Sequence, residues 1–357
     1  MGAWSPIGWV VLAAVTFALT ASCTRLSITY AHRRKLLDLP GQRRSHSAPT
    51  PRGGGIGIVA GVLFVIALIA RRLEGPYRVM ALALLAAIVV VAVVGWIDDH
   101  AGLRARTRFA VHCLAAALLL AVPAAFIGLL LPESRAGELL LYALAAVLPG
   151  LAIVWSINLH NFMDGIDGLL TLQVLFVFAA LAAIFMHAAQ TDVAECIGLL
   201  AAAVLGFLPF NLPRAHIFMG DVGSGVLGLL VAVAVGGQML TPTIALASGF
   251  VLCSAFVTDA TCTLLSRMLR GRRWYSAHRE HLYQWLVRSG YSHMQVVVFY
   301  MGWNLLIVLP VVCWMNRTSA ARMSPGIGSA IAVYALAVVV WWSGKRCCLA
   351  RNRHAAA

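Results

Sequence analysis

The segment from Ser156 to Leu169, SINLHNFMDGIDGL, concentrates polar residues between two apolar runs. It holds Asn158, Asn161, Asp164 and Asp167. Because unpaired amides and carboxylates are costly in hydrocarbon, these groups must face water and bind something. Their oxygens suit a hard cation, or hydrogen bonds to a sugar and a nucleotide. A polar turn that joins two helices is the simpler alternative.

Carboxylates also stand at the ends of two other apolar runs. Adjacent acids such as Asp98 and Asp99 repel each other and lose solvation, which makes them candidates for metal binding or general base catalysis. Asp221 and Ser224 lie between glycines where a new helix is predicted to begin. The N–H groups of such a helix favour phosphate, and the carboxylate can bring a divalent ion to it. Solvated helix-end acids and an ordinary helix cap are the alternatives.

Two basic segments could bind phosphate groups. Arg52 precedes three glycines, Gly53 to Gly55, whose N–H groups are predicted to meet an anion. The later segment contains His278, Arg279 and His281 among aromatic residues, and we expect these cations and rings to contact phosphates and a nucleotide. A loop that only sets topology, or an amphipathic surface helix, would also explain such compositions.

The composition places these segments in a membrane protein. The chain has 357 residues, of which 61% are hydrophobic and 11% are charged, whereas soluble domains carry about 25% charged residues. The 8 cysteines show no metal-type spacing. A net charge of +14 is explained by basic loops on one side of a bilayer, so no nucleic-acid partner is expected.

Apolar runs long enough to cross the membrane predict an all-α, polytopic helical bundle with about 11 transmembrane helices. The run over 243–265 is the ninth. It contains Asp259, for which we predict a structural hydrogen-bonding role with Thr258, Thr261 and Thr263 as local partners. Residues 1–343 are predicted to form one integral membrane domain, followed by a basic tail over 344–357.

The distribution of positive charge predicts the orientation. If segment 25–52 is cytoplasmic, the opposite side keeps few of the 27 lysines and arginines: Arg71, Arg72, Arg78, Arg135, Arg317 and Arg322. This bias predicts a periplasmic N-terminus and a cytoplasmic C-terminus. The polar segments would then all face the cytoplasm and form one site there: 25–52, 97–108, 157–168, 211–222 and 266–293.

The order of these motifs resembles the polyprenyl-phosphate N-acetylhexosamine-1-phosphate transferase family, glycosyltransferase family 4. The resemblance covers about 30–300. The matching residues are Asp38, Pro40, Arg43, His46 and Pro49 to Gly54, then Asp98-Asp99, Asn158 to Gly168, Phe218 to Ser224, Asp259 with Arg267, and His278 to His281. Where the family often has His-Leu-His-His, this chain has His281-Leu282-Tyr283-Gln284. That variant is similar to enzymes that use UDP-linked deoxy-N-acetylhexosamines such as N-acetylfucosamine or N-acetylquinovosamine.

The resemblance implies a Mg²⁺-dependent enzyme of a bacterial inner membrane, with Mn²⁺ as a substitute ion. It would transfer an N-acetylhexosamine-1-phosphate from a UDP-sugar to undecaprenyl phosphate and release UMP, as the first membrane step of O-antigen or another cell-surface polysaccharide. Its partners would be these two substrates, membrane lipids and, in a homodimer, a second copy.

The resemblance also implies a role for each candidate residue. Asp98 and Asp99 would be the catalytic residues, and Asp221 and Asn161 would bind the metal. The substrate-binding residues would be Arg52, Asn158, Asp164, Asp167, Ser224, His278, Arg279 and His281. A direct displacement and a covalent aspartyl route both fit these residues.

A transporter or ion-coupled carrier is the alternative from another functional class. Transporters place polar groups near the bilayer midplane on broken helices, often within repeated halves. Here the acids lie at one predicted surface, and the sequence shows no clear internal repeat. Labelling of introduced cysteines from each side of the membrane would discriminate the two.

Overall fold

The computed structural model describes residues 2–38, 49–130, 136–239, 241, 244–245, 247–273, 278–318 and 323–354. Over these residues the chain is a helical bundle. Its first eight long helices are α1 Pro6–Arg34, α2 Gly55–Arg72, α3 Gly75–Ala101, α4 Ala105–Leu130, α5 Ala136–Met163, α6 Leu169–His187, α7 Thr191–Asn211 and α8 Asp221–Met239. The later helices are α9 Ser248–Leu252, α10 Ser254–Leu269, α11 Leu282–Arg288, α12 His293–Trp303, a π-helical segment Asn304–Val308, α13 Leu309–Thr318 and α14 Met323–His354.

The predicted all-α polytopic fold is confirmed, with one difference in the helices that cross the membrane. Among the described residues, 10 helical segments are long and apolar enough to cross a bilayer. The predicted ninth run is instead divided at Cys253 into α9 and α10, which are 5 and 16 residues long. Neither piece alone has the roughly 20 residues that a span requires.

Several helices continue beyond the apolar runs that predicted them. α1 extends through Arg34, α5 through Met163 and α14 through His354. The connections are correspondingly short, and only residues 102–104 separate α3 from α4. Hydropathy marks the part of a helix that lies in hydrocarbon, whereas backbone hydrogen bonding carries the helix on into the polar region.

Small residues bring α1 close to its neighbours. Its buried positions form a stripe of threonine, serine and alanine: Thr16, Thr20, Thr24, Ser27 and Ala31. A Cβ at Gly57 or Gly61 of α2 would overlap a threonine of this stripe, and one at Gly206 of α7 would lie 2.5 Å from a backbone oxygen of α1. Such small-residue contacts are the usual way in which helices associate in a membrane.

The central helix of the bundle is α8, which packs against α2, α3, α5 and α6. Its first turn touches Gly55 of α2 at Gly223, and its next turns approach the backbone of α5 at Gly228. On the α3 side, Gly95 lies against the backbone of Asp221. The beginning of α8 is therefore fixed from three directions.

Replacing Gly95 by alanine should destabilise the protein, because the new Cβ would lie 2.6 Å from the backbone of Asp221. Overpacking of this kind costs about 1–3 kcal/mol. The matched control is Gly236→Ala in α8, where a Cβ meets nothing within 4 Å. Thermal unfolding in detergent should show a lower midpoint for Gly95→Ala and an unchanged or raised one for Gly236→Ala. Equal midpoints would contradict the proposed close contact.

Candidate functional site

A cavity of about 770 Å³ lies at the end of the bundle where α8 begins. Its lining comes from all the predicted polar segments except the α3–α4 connection. The residues that line it are Asp38, Arg52, Asn161, Asp164, Gly165, Ile166, Asp167, Asn211, Phe218, Gly220, Asp221, Arg267, His278, Arg279, Glu280, Gln284 and Arg288. Carboxylates and cations therefore face the same space, which has the size of a small-molecule site.

The shared cavity also constrains the path of the divided ninth run. Asp221 stands at the beginning of α8, and Arg267 stands near the end of α10. Since both residues line the cavity, the chain between them must return to the side of the bundle from which α8 departs. α9 and α10 together make this return.

Asp99 occupies the place where the sequence predicts a bound phosphate. Its buried carboxylate accepts hydrogen bonds from the backbone N–H groups of Asp221 (3.1 Å) and Val222 (3.3 Å). The next two N–H groups of α8, at Gly223 and Ser224, donate to the carbonyl of Gly220. The beginning of α8 is thus capped by the protein itself, so these N–H groups are not free for the predicted phosphate.

Asp98, the other predicted catalytic acid, is linked to the cavity through a cation. The Arg108 guanidinium donates to Asp98 Oδ2 at 2.8 Å and to Asp221 Oδ2 at 2.7 Å. The other Asp98 oxygen accepts from the backbone N–H of Leu103. Asp98 is therefore held behind Arg108, which in turn reaches the carboxylate that lines the cavity.

Arg52 is positioned by a short two-stranded sheet, β1 Leu37–Asp38 and β2 Thr50–Pro51, in which Asp38 pairs with Thr50. Its guanidinium donates to Asp99 at 3.2 Å. Pro40, Arg43 and His46 of the same motif lie outside the described residues.

Two of the glycine N–H groups after Arg52, which the sequence predicts to meet an anion, are hydrogen-bonded to another segment of the chain. The N–H groups of Gly54 and Gly55 donate to the carbonyls of Phe218 (2.9 Å) and Met219 (2.8 Å). The Phe218 N–H in turn donates to the carbonyl of Pro51 at 2.8 Å. These bonds hold the Arg52 segment against the loop that leads to Asp221.

The asparagine-rich segment brings two predicted residues to Asp221. The Asn161 amide donates to Ser224 Oγ at 3.2 Å and also interacts with the Asp221 carboxylate. Ser224 is fully buried and stands behind Asn161, outside the cavity lining. Burial, followed by the negative charges of Asp221 and Asp99, raises the pKa of Asp164 to about 8. The carboxyl groups of Asp99, Asp164 and Asp221 are therefore close enough to interact.

Asp167 both lines the cavity and fastens two loops. Its Oδ2 accepts from the Ala215 N–H at 3.1 Å and lies 3.3 Å from His293 Nδ1 at the beginning of α12. Asn211 supports the same loop, since its Oδ1 accepts from the Gly168 N–H at 3.2 Å and from Thr171 at 2.7 Å. The loop that carries Asp164 and Asp167 is thereby anchored on α7 and α12.

Asn158, a predicted substrate-binding residue, lies outside the cavity lining. It is one helical turn away from Asn161, and its amide donates to the Val154 carbonyl at 2.7 Å and contacts His112 Nδ1 of α4 at 3.2 Å. Asn158 therefore connects α4, which carries Arg108, to α5.

We expect alanine variants of the two asparagines to separate stability from substrate binding. Asn158→Ala should lower the unfolding free energy by about 1 kcal/mol, because it removes a partly buried link between helices, and should leave the KM of the small-molecule substrate unchanged. Asn161→Ala should raise that KM with little loss of stability, since Asn161 lines the cavity. Steady-state kinetics and thermal unfolding on both variants test this, and similar KM increases in both would contradict it.

The histidine segment divides between the cavity and the protein interior. His278 and Arg279 line the cavity, as predicted. His281 is buried behind them, where its ring lies 5.0 Å from that of His278 and stacks on Phe162 at 6.1 Å. Burial lowers the pKa of His281 to about 4. It is thus neutral near pH 7 and supports His278 instead of contributing a charge to a phosphate.

The approach to this segment is braced by ion pairs. The Arg267 guanidinium bonds to the Glu280 carboxylate and donates to the Arg273 carbonyl at 2.9 Å. Arg272 also pairs with Glu280, at 3.0 Å. Residues 274–277, with the aromatic Trp274 and Tyr275, lie outside the described residues.

The arrangement could hold a divalent ion through few protein ligands. Within the described residues, no three His, Cys, Asp or Glu side chains gather in a metal-binding group. Mg²⁺ usually takes one or two carboxylates and completes its shell with water and substrate phosphates. Asp221 and Asn161 fit that pattern, because they offer one carboxylate and one amide oxygen at the cavity.

Sequence reasoning overlooked Arg108 as a site residue, and it also omitted Asn211, Gln284 and Arg288. The sequence shows that arginines follow the aspartate pair across a short connection, but not that Arg108 is the one that turns inward. Gln284 and Arg288 line the cavity from α11. α11 lies within segment 266–293, which was predicted to contribute to the site, but the sequence did not show which of its side chains would face the cavity.

Comparisons with known proteins find related sequences. A family model described as glycosyl transferase family 4 matches residues 81–236. The decaprenyl-phosphate N-acetylglucosaminephosphotransferase of Mycobacterium leprae (strain TN) is 32% identical over 331 residues, which cover 84% of this chain and 82% of that protein. The undecaprenyl-phosphate alpha-N-acetylglucosaminyl 1-phosphate transferase of Salmonella typhi is 28% identical over 270 residues, 74% of this chain and 72% of that protein. Its counterpart in Escherichia coli (strain K12) is 26% identical over 269 residues, with the same coverage.

The matched residues include the aspartate pair, the asparagine-rich segment and Asp221, all at or next to the cavity. The mycobacterial relative extends the similarity over most of the chain. The protein is accordingly a multi-pass membrane transferase, and the chain belongs to glycosyl transferase family 4, the family of the polyprenyl-phosphate N-acetylhexosamine-1-phosphate transferases.

Proposed function

We propose that this protein transfers an N-acetylhexosamine-1-phosphate from a UDP-sugar to undecaprenyl phosphate and releases UMP. The observation that carries the proposal is the single cavity in which Arg52, Asp164, Asp221 and Arg279 meet. The names of the mycobacterial and enterobacterial relatives describe the same kind of transfer, to decaprenyl and undecaprenyl phosphate respectively.

In the proposed reaction, an oxygen of the lipid phosphate attacks the phosphorus that bears the sugar. The bond from that phosphorus to the bridging oxygen breaks, and UMP leaves with the electron pair. Phosphoryl transfer needs mainly alignment and neutralised charge. Asp221 and Asn161 would hold Mg²⁺, or Mn²⁺ in its place, and the bound ion would supply that neutralisation.

The chain's own residues align the two substrates. Arg52, His278 and Arg279 face the cavity and would contact the phosphates, since guanidinium groups bind phosphate oxygens in pairs. Asp164 and Asp167 would accept hydrogen bonds from the nucleoside.

We favour direct displacement over an aspartyl intermediate. Both oxygens of Asp98 are hydrogen-bonded, and both oxygens of Asp99 accept from the N–H groups at the beginning of α8. Neither acid lines the cavity. Their proposed catalytic contribution is to hold Arg108 and Asp221 in place.

N-acetylglucosamine is the first donor sugar to test, because it appears in the names of the relatives. N-acetylfucosamine and N-acetylquinovosamine belong in the same panel because of the segment His281 to Gln284. Purified protein with Mg²⁺ and undecaprenyl phosphate should release UMP and form a lipid-linked sugar with one of these donors. Omission of the lipid or addition of EDTA should stop both. Failure of every donor, with both decaprenyl and undecaprenyl phosphate, would refute the proposal.

We further propose that the cavity faces the cytoplasm of a bacterial inner membrane. The reaction there would be the first membrane step in the synthesis of a cell-surface polysaccharide such as O-antigen. The excess of Lys and Arg in the segments around the cavity supports this orientation. A membrane-impermeant maleimide should label Arg279→Cys in inverted vesicles but not in intact spheroplasts. Labelling from both sides would support a carrier instead.

A further inference from the structure

Asp259 makes a set of hydrogen bonds that no catalytic step requires. Its carboxylate in α10 is 2% exposed. It accepts from the backbone N–H groups of Leu282 (2.7 Å) and Tyr283 (3.3 Å), from Tyr300 Oη (2.7 Å) and from Trp341 Nε1 (3.0 Å). Of the three threonines predicted as local partners, Thr263 donates to it, at 3.3 Å. Its main partners therefore lie on three helices that follow α10 in the chain.

The first consequence is that Asp259 fixes the beginning of α11. This helix has 7 residues, and its first two N–H groups are the ones that Asp259 accepts. The His281 Nδ1 atom lies 3.9 Å from the same carboxylate, and its ring supports that of His278. A shift of Asp259 would therefore change the cavity through the histidine segment, because His281 contacts His278, which lines the cavity.

The second consequence concerns Tyr283, which contacts the asparagine-rich segment. Its hydroxyl donates to the Phe162 carbonyl at 2.9 Å. The phenol ring packs so closely on Gly165 that a Cβ there would overlap it. Gly165 lies beside Asp164, which lines the cavity. Asp259 and Tyr283 thus connect α11 to the loop that carries Asp164 and Asp167.

The third consequence is that the C-terminal helix belongs to this arrangement. Trp341 of α14 donates directly to Asp259, and a Cβ at Gly344 would lie 3.1 Å from the Leu282 side chain. Asp259, Tyr300 and Trp341 all lie beyond residues 81–236, to which the family model matches.

We propose that Asp259 is a positioning residue for the transfer reaction, and that Tyr300 and Trp341 hold it in place. It sets α11, and through His281 and Tyr283 it aligns His278 and the Asp164 loop around the donor. This inference rests on the proposed function only for its kinetic consequences. The contacts themselves can be tested without activity.

The experiment compares Asp259→Asn and Asp259→Ala with the wild type in the full-length purified protein. We expect kcat to fall at least about tenfold and the donor KM to rise at least about threefold in Asp259→Asn, with a larger loss in Asp259→Ala. This order follows because asparagine keeps one oxygen for the N–H groups of α11. Trp341→Phe and Tyr300→Phe each remove one donor, and each should lower kcat/KM about threefold or more. They keep the proposal testable if Asp259→Ala does not fold.

Hydrogen–deuterium exchange provides the readout that is independent of activity. Exchange should accelerate at 282–288 and at 162–168 in the Asp259 variants. The matched control is Gln238→Leu, which removes buried hydrogen bonds to Ala245 and Gly249 away from the cavity. It should lower stability without changing exchange in those two segments or the donor KM.

The outcomes separate this inference from the proposed function. If the wild type transfers no sugar but exchange accelerates in both segments, the proposed function fails, and what stands is that Asp259 holds α11 and the Asp164 loop in place. If the wild type is active and the Asp259 variants keep its kcat, KM and exchange, the positioning role is refuted. It is also refuted if activity falls only in proportion to the folded fraction, as in Gln238→Leu.

Discussion

Asp221→Asn is expected to lower kcat about a thousandfold, which corresponds to about 4 kcal/mol of transition-state stabilisation. Asparagine has the size of aspartate but lacks the charge that would hold a divalent ion against the diphosphate. The variant would also leave Arg108 with a single carboxylate, Asp98. UMP release over a range of Mg²⁺ concentrations measures the effect, and high Mg²⁺ should recover little of it.

Asp192→Asn is the matched control for this loss. Asp192 stands in the first turn of α7, whereas Asn211, which lines the cavity, ends that helix. The length of α7 places the two about 30 Å apart. Asp192→Asn should therefore keep the wild-type kcat and the wild-type Mg²⁺ dependence. Near-normal Mg²⁺-dependent turnover in Asp221→Asn would exclude Asp221 as a metal ligand.

Arg108→Ala is expected to lower kcat/KM about a hundredfold, or about 2.7 kcal/mol. Its guanidinium bridges Asp98 and Asp221, and removal of one partner leaves partly buried carboxylates that repel each other. Arg108→Lys should recover part of the activity, because an ammonium carries the charge but not the planar fork that spans two carboxylates.

The control for Arg108 lies two residues earlier on the same helix. Arg106 is exposed near the beginning of α4, and Arg106→Ala should change kcat/KM less than about twofold, as usual for a solvated charge. Kinetics at fixed Mg²⁺ for the three variants decide the outcome. Full recovery by lysine would show that charge alone matters there, and equal effects at both positions would indicate a general electrostatic effect.

These two predictions rest on different kinds of information. Asp221 could be identified from the sequence, because a carboxylate between glycines at the beginning of a helix has a recognisable pattern. Arg108 is one of several arginines after the aspartate pair, and spacing alone does not show which one turns inward. Its partners are Asp98, ten residues away, and Asp221, which is 113 residues away. Only the packing of α3, α4 and α8 brings them together.

The surroundings of the helix ends where phosphate was predicted could not be read from the sequence for a similar reason. The first N–H groups of a helix generally have no partner within the helix, and this holds for Gly54, Gly55 and the first turn of α8. In the folded chain, the carbonyls of Phe218 and Met219 and the carboxylate of Asp99 satisfy them. The acceptor for such N–H groups can come from a distant segment of the chain or from a bound ligand. The local sequence does not distinguish the two.

The sequence by itself determined that this is a helical membrane protein, because hydropathy follows directly from composition along the chain. It also determined which segments carry carboxylates, amides and cations, since those are properties of residue types. The tertiary structure alone decided which of these groups face the cavity and which, such as Asp99 and His281, are buried behind it. It alone also decided that Asp259 joins α11 to α14. The physical reason is that a buried polar group must find a partner, and in this bundle many of those partners come from helices far apart in the chain.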